Sequence, residues 1–196
     1  MKLCVFQGTF NPIHNAHIRV AKFAYNHKDF DKILFIPAAK PPHKAYNPNL
    51  SLHRYNMVKL AIEKYNEFDI SDIEFKLQGK SYTYNTICEL YKLYPIEEKI
   101  NFLIGTDAFR EIESWFRTDD LKKLVKFIIF IRDSEFSEKE FSELKEKGYN
   151  FEFMPLEFAD ISSTDIRNRI KENKPVTGLI DSKVEEYIKE NGLYKD

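Results

Sequence analysis

Four apolar runs punctuate the chain: Leu3 to Phe6, Ile33 to Ile36, Ile100 to Ile104 and Phe127 to Ile131, each bounded by charges or turn residues. Their Ile, Phe and Val content, with little polar alternation, is that of strands buried on both faces. Phe68 to Ile70 and Phe151 to Met154 are weaker candidates of the same kind. Between the runs the spacing turns helical. Ile18, Ala21, Phe23 and Ala24 mark one amphipathic helix, and Tyr55, Val58, Ala61, Ile62 and Tyr65 a second. Ile87, Leu90, Tyr91 and Tyr94 mark a third, which Pro95 stops. Ser137 to Lys147, ending before Gly148, reads as an exposed, charged helix. Strands alternating with helices predict right-handed crossovers and an α/β fold with a doubly wound parallel sheet. Ligands of such sheets lie beyond the carboxyl ends of the strands, so chemistry is expected in the loops that follow them. The conspicuous loop, Pro37 to Leu50, holds Pro37, Pro41, Pro42 and Pro48 and reads as semi-rigid and substrate-facing.

Composition narrows the class. A chain of 196 residues suits one core, and 43% hydrophobic with 31% charged residues is the balance of a globular protein. The 30 basic and 31 acidic residues nearly cancel, which argues against wholesale binding of nucleic acid or an anionic membrane. Cys4 and Cys88 form no CxxC pair and read as reduced thiols of a cytosolic core. The N-terminal apolar run is too short for a signal peptide, and no stretch approaches the ~20 residues of a membrane span. A cytoplasmic location is therefore expected. A homo-oligomer is left open, because exposed and interfacial apolar residues look alike in a sequence.

The candidate chemistry starts directly after the first strand, in Gln7-Gly8-Thr9-Phe10-Asn11-Pro12-Ile13-His14-Asn15-Ala16-His17. Gly8 allows a backbone to approach a ligand or adopt positive φ, and Pro12 stiffens the turn. If a helix begins near Asn15, His14 and His17 face one space, beside a helix N-terminus that attracts anions. The alternatives are structural histidines or half of a metal site, for which no third ligand stands at diagnostic spacing nearby. Far along the chain, Ser162 to Asp165 fits the S-x-x-D capping pattern before an apolar helical run. Such a start serves as a plain cap or as a phosphate site, to which Arg167 adds a charge-assisted donor. Arg169 reads as a surface charge.

Gly8 to His17 resembles the GxFxPxHxGH signature of the nucleotidyltransferase superfamily related to the class I aminoacyl-tRNA synthetases. Ile161 to Arg167 resembles that superfamily's ISSTxIR signature. Pro41-Pro42-His43-Lys44, Gly79 to Thr86, Ile104 to Asp107, Trp115 and the ending Val184 to Tyr194 together resemble the bacterial nicotinate-nucleotide adenylyltransferase family. Pantetheine-phosphate adenylyltransferases share the end signatures but lack these middle motifs. The resemblance implies a single Rossmann-like domain over residues 1–196, with 162–196 as its C-terminal helical part. It implies adenylyl transfer from ATP to nicotinate mononucleotide, giving nicotinate adenine dinucleotide and pyrophosphate, a step of NAD biosynthesis.

By the same resemblance His14, His17 and Arg167 are catalytic. ATP is held by Gly8, Thr9, Phe10 and His17 at the first loop and by Gly105 and Asp107 after a middle strand. Ile161, Ser162, Ser163, Thr164 and Arg167 complete the ATP contacts. Lys44, Tyr82, Thr83, Trp115 and Phe116 bind the mononucleotide, Trp115 by stacking and the backbone N–H groups of Trp115 and Phe116 at the carboxylate. No metal ligand is implied; Mg²⁺ arrives with ATP. Thr83 and Asp107 also admit plain helix-start readings, and Trp115 a core one. Gln7, Asn11, Ala16 and Asn85 depart from the family pattern, which has glycine, aspartate, glycine and aspartate there. An enzyme for nicotinamide mononucleotide or both pyridines, and a non-catalytic nucleotide sensor, stand as alternatives.

Overall fold

The computed structural model describes residues 1–42, 47–131, 136–156 and 161–195. Six strands, β1 (Leu3–Gly8), β2 (Lys32–Pro37), β3 (Phe68–Ile70), β4 (Ile100–Gly105), β5 (Val125–Phe130) and β6 (Phe151–Met154), form one sheet. Its order is β3-β2-β1-β4-β5-β6, and every pairing is parallel. The chain winds outward from β1 to β3, then crosses to the other side of β1 for β4. The winding reverses there, opening a crevice at the carboxyl ends of β1 and β4.

The helices among the described residues are α1 (Asn15–His27), α2 (Pro48–Ile62), α3 (Ile73–Lys76), α4 (Thr83–Leu93), α5 (Thr106–Arg110), α6 (Thr118–Leu124), α7 (Ser142–Glu146), α8 (Ser163–Lys171) and α9 (Ser182–Glu190). Successive strand residues point to opposite faces, and each face has its own core. Cys4, Phe6, Ile33 and Phe35 pack under α1, α2, α8 and α9; Leu3, Val5, Leu34 and Ile36 pack under α3 to α7. The sheet is thus the doubly wound, Rossmann-like layer expected, and within residues 162–195 the helices are α8 and α9. No helix among the described residues is long and apolar enough to cross a membrane.

Three local expectations are corrected. First, β1 runs past its apolar residues: Gln7 pairs with Ile36 and Gly8 with Pro37, since a ladder needs backbone groups rather than apolar side chains. Second, α2 is turned relative to the expected stripe. Ser51 and Arg54 are buried with Met57, Val58, Ala61 and Ile62, while Tyr55 is only half-buried and Tyr65 lies beyond the helix. Asn47 caps α2 by accepting from the Leu50 N–H, and Pro48 fits the first turn, so the proline-rich loop is shorter than Pro37 to Leu50. Third, Ser137 to Lys147 is not one exposed helix. A 3₁₀ turn, Glu138–Phe141, leads into α7, and Phe141 and Leu144 are buried in the second core. Two apolar residues three apart anchor a segment that is otherwise charged.

Candidate active site

The loop after β1 is built on its aromatic residues. Phe10 takes a left-handed φ of 47°, which turns its ring back over Gly8. A Cβ at Gly8 would lie 2.9 Å from that ring, so Gly8 is needed to admit Phe10. Phe10 is 3% exposed and meets Phe6 edge-on at 5.4 Å and His17 edge-on at 5.1 Å. As a buried ring it offers ATP little of its own surface; its contribution is to hold His17.

His14 is the N-cap of α1, and the His14 and His17 rings stack at 3.7 Å. The His14 N–H donates to His17 Nδ1 at 3.2 Å. A neutral His17 ring therefore carries its proton on Nε2, the nitrogen turned away from this bond, and is fixed as a donor. The start of α1 is less open than expected: the Asn15 N–H donates to Leu179 O at 2.8 Å and the His17 N–H to His14 O at 2.9 Å. Imidazole donors, more than backbone ones, are thus what this helix start presents to an anion. Ala16 is 1% exposed. Its methyl is covered by protein and does not project into the crevice.

The second signature folds back onto the first. Ser162 caps α8 by accepting from the Asp165 N–H at 3.0 Å, which leaves its hydroxyl proton to donate elsewhere. Ser163 Oγ donates to Pro12 O at 2.9 Å. Arg167 donates to Asn11 O at 2.8 Å and to Thr164 Oγ1 at 3.2 Å. Tyr194 Oη donates to Asn11 Oδ1 at 2.6 Å, and burial pushes its phenol far above the ordinary range. The asparagine at position 11 is thereby accounted for: its side-chain oxygen meets a buried phenol. Arg169, paired with Asp165 at 2.8 Å on the surface, is the plain surface charge expected. Ile161, half-buried, packs against the first core.

Across the crevice, Gly105 ends β4 as the N-cap of α5, and Asp107 lies exposed in the first turn. Asp107 is inside the helix and so is not its cap. Tyr82 is the N-cap of α4 and Thr83 its first residue. With Pro42, Lys80, Ser81, Ser114, Trp115 and Phe116 they line a cleft of about 370 Å³. Trp115 is half-buried, edge-on to Phe102, while Phe116 is 46% exposed and stacks on Tyr82 at 4.5 Å. The Trp115 N–H is taken by Ile112 O at 3.1 Å, so of the two backbone donors expected for a carboxylate, Phe116 is left as the candidate. His43 and Lys44 lie outside the described residues.

Two buried charges that the sequence reading missed tie these parts together. Arg54, 3% exposed, donates to Thr9 O and Ala38 O, both at 2.6 Å, and to Ser51 Oγ at 3.0 Å. Burial pulls its guanidinium below its ordinary value, opposed by the fields of Tyr194 and Glu74. Glu74, 4% exposed, accepts from Gln7 Nε2, from Thr86 Oγ1 at 2.8 Å and from the Ala39 N–H at 3.1 Å. Burial pushes its carboxyl up, and hydrogen bonds from Ser81, Thr86, Ala39 and Gln7 oppose that. A signal for Arg54 existed: it stands three and four residues before Met57 and Val58, on the apolar stripe of α2. No group of three or more His, Cys, Asp or Glu placed to hold a metal occurs among the described residues.

The Cytidylyltransferase-like family model matches residues 5–169. A protein of Clostridium botulinum (strain Kyoto / Type A2) named "Probable nicotinate-nucleotide adenylyltransferase" is 43% identical, covering 97% of this chain and 98% of its own. A protein of the same name from Clostridium tetani (strain Massachusetts / E88) is 40% identical, covering 99% of both. Among solved structures, Plasmodium falciparum nicotinic acid mononucleotide adenylyltransferase complexed with NaAD superposes with a TM-score of 0.82 at 21% identity. It covers 98% of this chain and 97% of its own.

Proposed function

Because this chain belongs to the cytidylyltransferase-like family, we propose that it is the adenylyltransferase its relatives are named for, transferring AMP from ATP to nicotinate mononucleotide. The products are nicotinate adenine dinucleotide and pyrophosphate, a step of NAD biosynthesis. The observation that carries the reading is the contact of the two signature segments, Ser163 on Pro12 O and Arg167 on Asn11 O, across more than 150 positions of chain. It brings the start of α8 and Arg167 against the loop that carries His14 and His17, which supports a reading in which together they hold a triphosphate and a second phosphate.

A phosphate oxygen of the mononucleotide is the nucleophile. It is already ionised at neutral pH, so no general base is called for. That oxygen forms a bond to the α-phosphorus as the bond from phosphorus to the oxygen bridging the β-phosphate breaks, and pyrophosphate leaves with the electron pair. His17, with its proton held on Nε2, and His14 donate to phosphate oxygens where charge builds. Arg167 and the Ser162–Thr164 turn follow the pyrophosphate. Lys44 offsets the repulsion between the two anions, Asp107 receives the ribose, and Trp115 and Phe116 hold the pyridine. Mg²⁺ would enter as part of the ATP complex and supply charge neutralisation at the phosphates.

The test is pyrophosphate release with ATP and a panel of nicotinate mononucleotide, nicotinamide mononucleotide and unrelated nucleotide acceptors. Release with nicotinate mononucleotide is expected. Equal or greater release with the nicotinamide form redefines the acceptor, and ATP binding without release from any acceptor makes the protein a sensor.

A further inference from the structure

Glu74 belongs to no signature motif, yet it lies where three substrate-facing segments meet. Gln7 reaches it from the end of β1, the Ala39 N–H from the root of the loop after β2, and Thr86 from the first turns of α4. Ser81, just before α4, opposes the upward shift of the carboxyl and accepts from the Lys40 N–H at 2.8 Å. The donors are neutral amides and hydroxyls, so the carboxylate is held by geometry as much as by charge. Ala39 is held at both ends of its backbone: Glu74 takes its N–H, while Ser51 Oγ donates to its C=O at 2.7 Å. The two rims of the cleft, Pro42 on one side and Tyr82 and Thr83 on the other, both hang from this carboxylate.

The first loop is different. It meets Glu74 directly through Gln7, shares Arg54 with the Ala38–Ala39 root, and is braced further by Ser163, Arg167, Tyr194 and Leu179. We infer that Glu74 is a positioning residue for the acceptor side, setting the width of the cleft that receives the mononucleotide while leaving the ATP phosphates to other braces. The inference rests on the proposed assignment of the cleft to the mononucleotide. Gln7, a departure from the family's glycine, extends the same tie to β1. Among the described residues the other end of its amide, Oε1, is buried without a partner, so the amide is oriented by what its nitrogen gains from Glu74.

The experiment measures equilibrium binding of ATP, and of whichever mononucleotide the wild-type protein binds most tightly, by calorimetry on intact protein. Glu74→Gln and Thr86→Val are expected to weaken the mononucleotide about tenfold, with ATP within about twofold, and Thr86→Ser is expected to restore it. Near-UV circular dichroism reports folding; if Glu74→Gln does not fold, the Thr86→Val and Thr86→Ser pair decides. Parallel losses for both ligands, or no loss in folded variants, overturn the inference and leave Glu74 a brace of the fold. Failure of the functional reading is seen separately, in a wild-type protein that releases no pyrophosphate.

Discussion

At one end of the crevice His14 is 4% exposed, stacked on His17, and its loop is fastened by Ser163, Arg167, Tyr194 and Leu179. At the other end Phe116 is 46% exposed, lies against Tyr82, and lines a cleft whose opposite rims meet through Glu74. The packing makes the first end the more prearranged and the second the more adjustable, a difference that suits the chemistry proposed for each. Phosphoryl transfer needs two anions in line, and misplacement there costs rate directly. Recognition of a flat ring needs contact area and tolerates side-chain adjustment, at a cost paid in affinity.

The largest effect should come from breaking the prearranged end. His17→Ala is expected to lower kcat about 10²–10³-fold with both KM values nearly unchanged, since the lost donor acts where charge builds. Steady-state pyrophosphate release reads it; wild-type turnover would remove His17 from the mechanism. Gly8→Ala is next. Its methyl meets the Phe10 ring at 2.9 Å, and displacing a buried ring is expected to cost about 1–3 kcal/mol in thermal or denaturant unfolding. Because Phe10 holds His17, kcat should fall with stability; a variant equally stable but slow, or equally active, breaks that link.

Phe116→Ala sharpens the adjustable end. It is expected to raise the mononucleotide KM by about 3–10-fold, a contact of about 1 kcal/mol, with the ATP KM and kcat unchanged. A fall in kcat instead would mean that the ring end also aligns the reaction. The smallest effect concerns α9, which carries the Tyr194 brace. Burial raises the Asp181 carboxyl, but hydrogen bonds from Lys64 and the Lys183 N–H outweigh it, and the net shift is below the ordinary 3.8. Its stabilisation is therefore complete above that value and lost as pH falls through the depressed range. Asp181→Asn keeps a cap acceptor and removes the charge, so unfolding at neutral pH should ease by less than about 1 kcal/mol. The difference from wild type should vanish in acid; a difference that persists there assigns the effect to packing.

The two ends were not equally legible beforehand. The four central strands declared themselves because each carries a run that is apolar on both faces, unlike the edge strands β3 and β6, and the two signature segments because they are short, local and rich in special residues. The winding order, and with it the meeting of Asn11 with Arg167, followed only once the sheet was laid out. Glu74 was invisible, and Arg54 signalled only by its place on the α2 stripe, for a physical reason. Their partners are mostly backbone groups and hydroxyls scattered from Gln7 to Thr86, and such partners leave no pattern in a sequence. The phase of α2 was misjudged for the same reason: Arg54 occupies a place that periodicity reserves for an apolar side chain. The exposed helix expected at Ser137 to Lys147 failed because Phe141 and Leu144 outweigh the charges around them.

The tie between Tyr194 and Asn11 spans 183 positions of chain. On the ribosome, all six strands and most of both cores emerge well before that tyrosine, so the sheet has the means to assemble while the loop that carries His14 still lacks its last support. A nascent chain at that stage would hold the sheet while the first loop still lacked the Tyr194 brace.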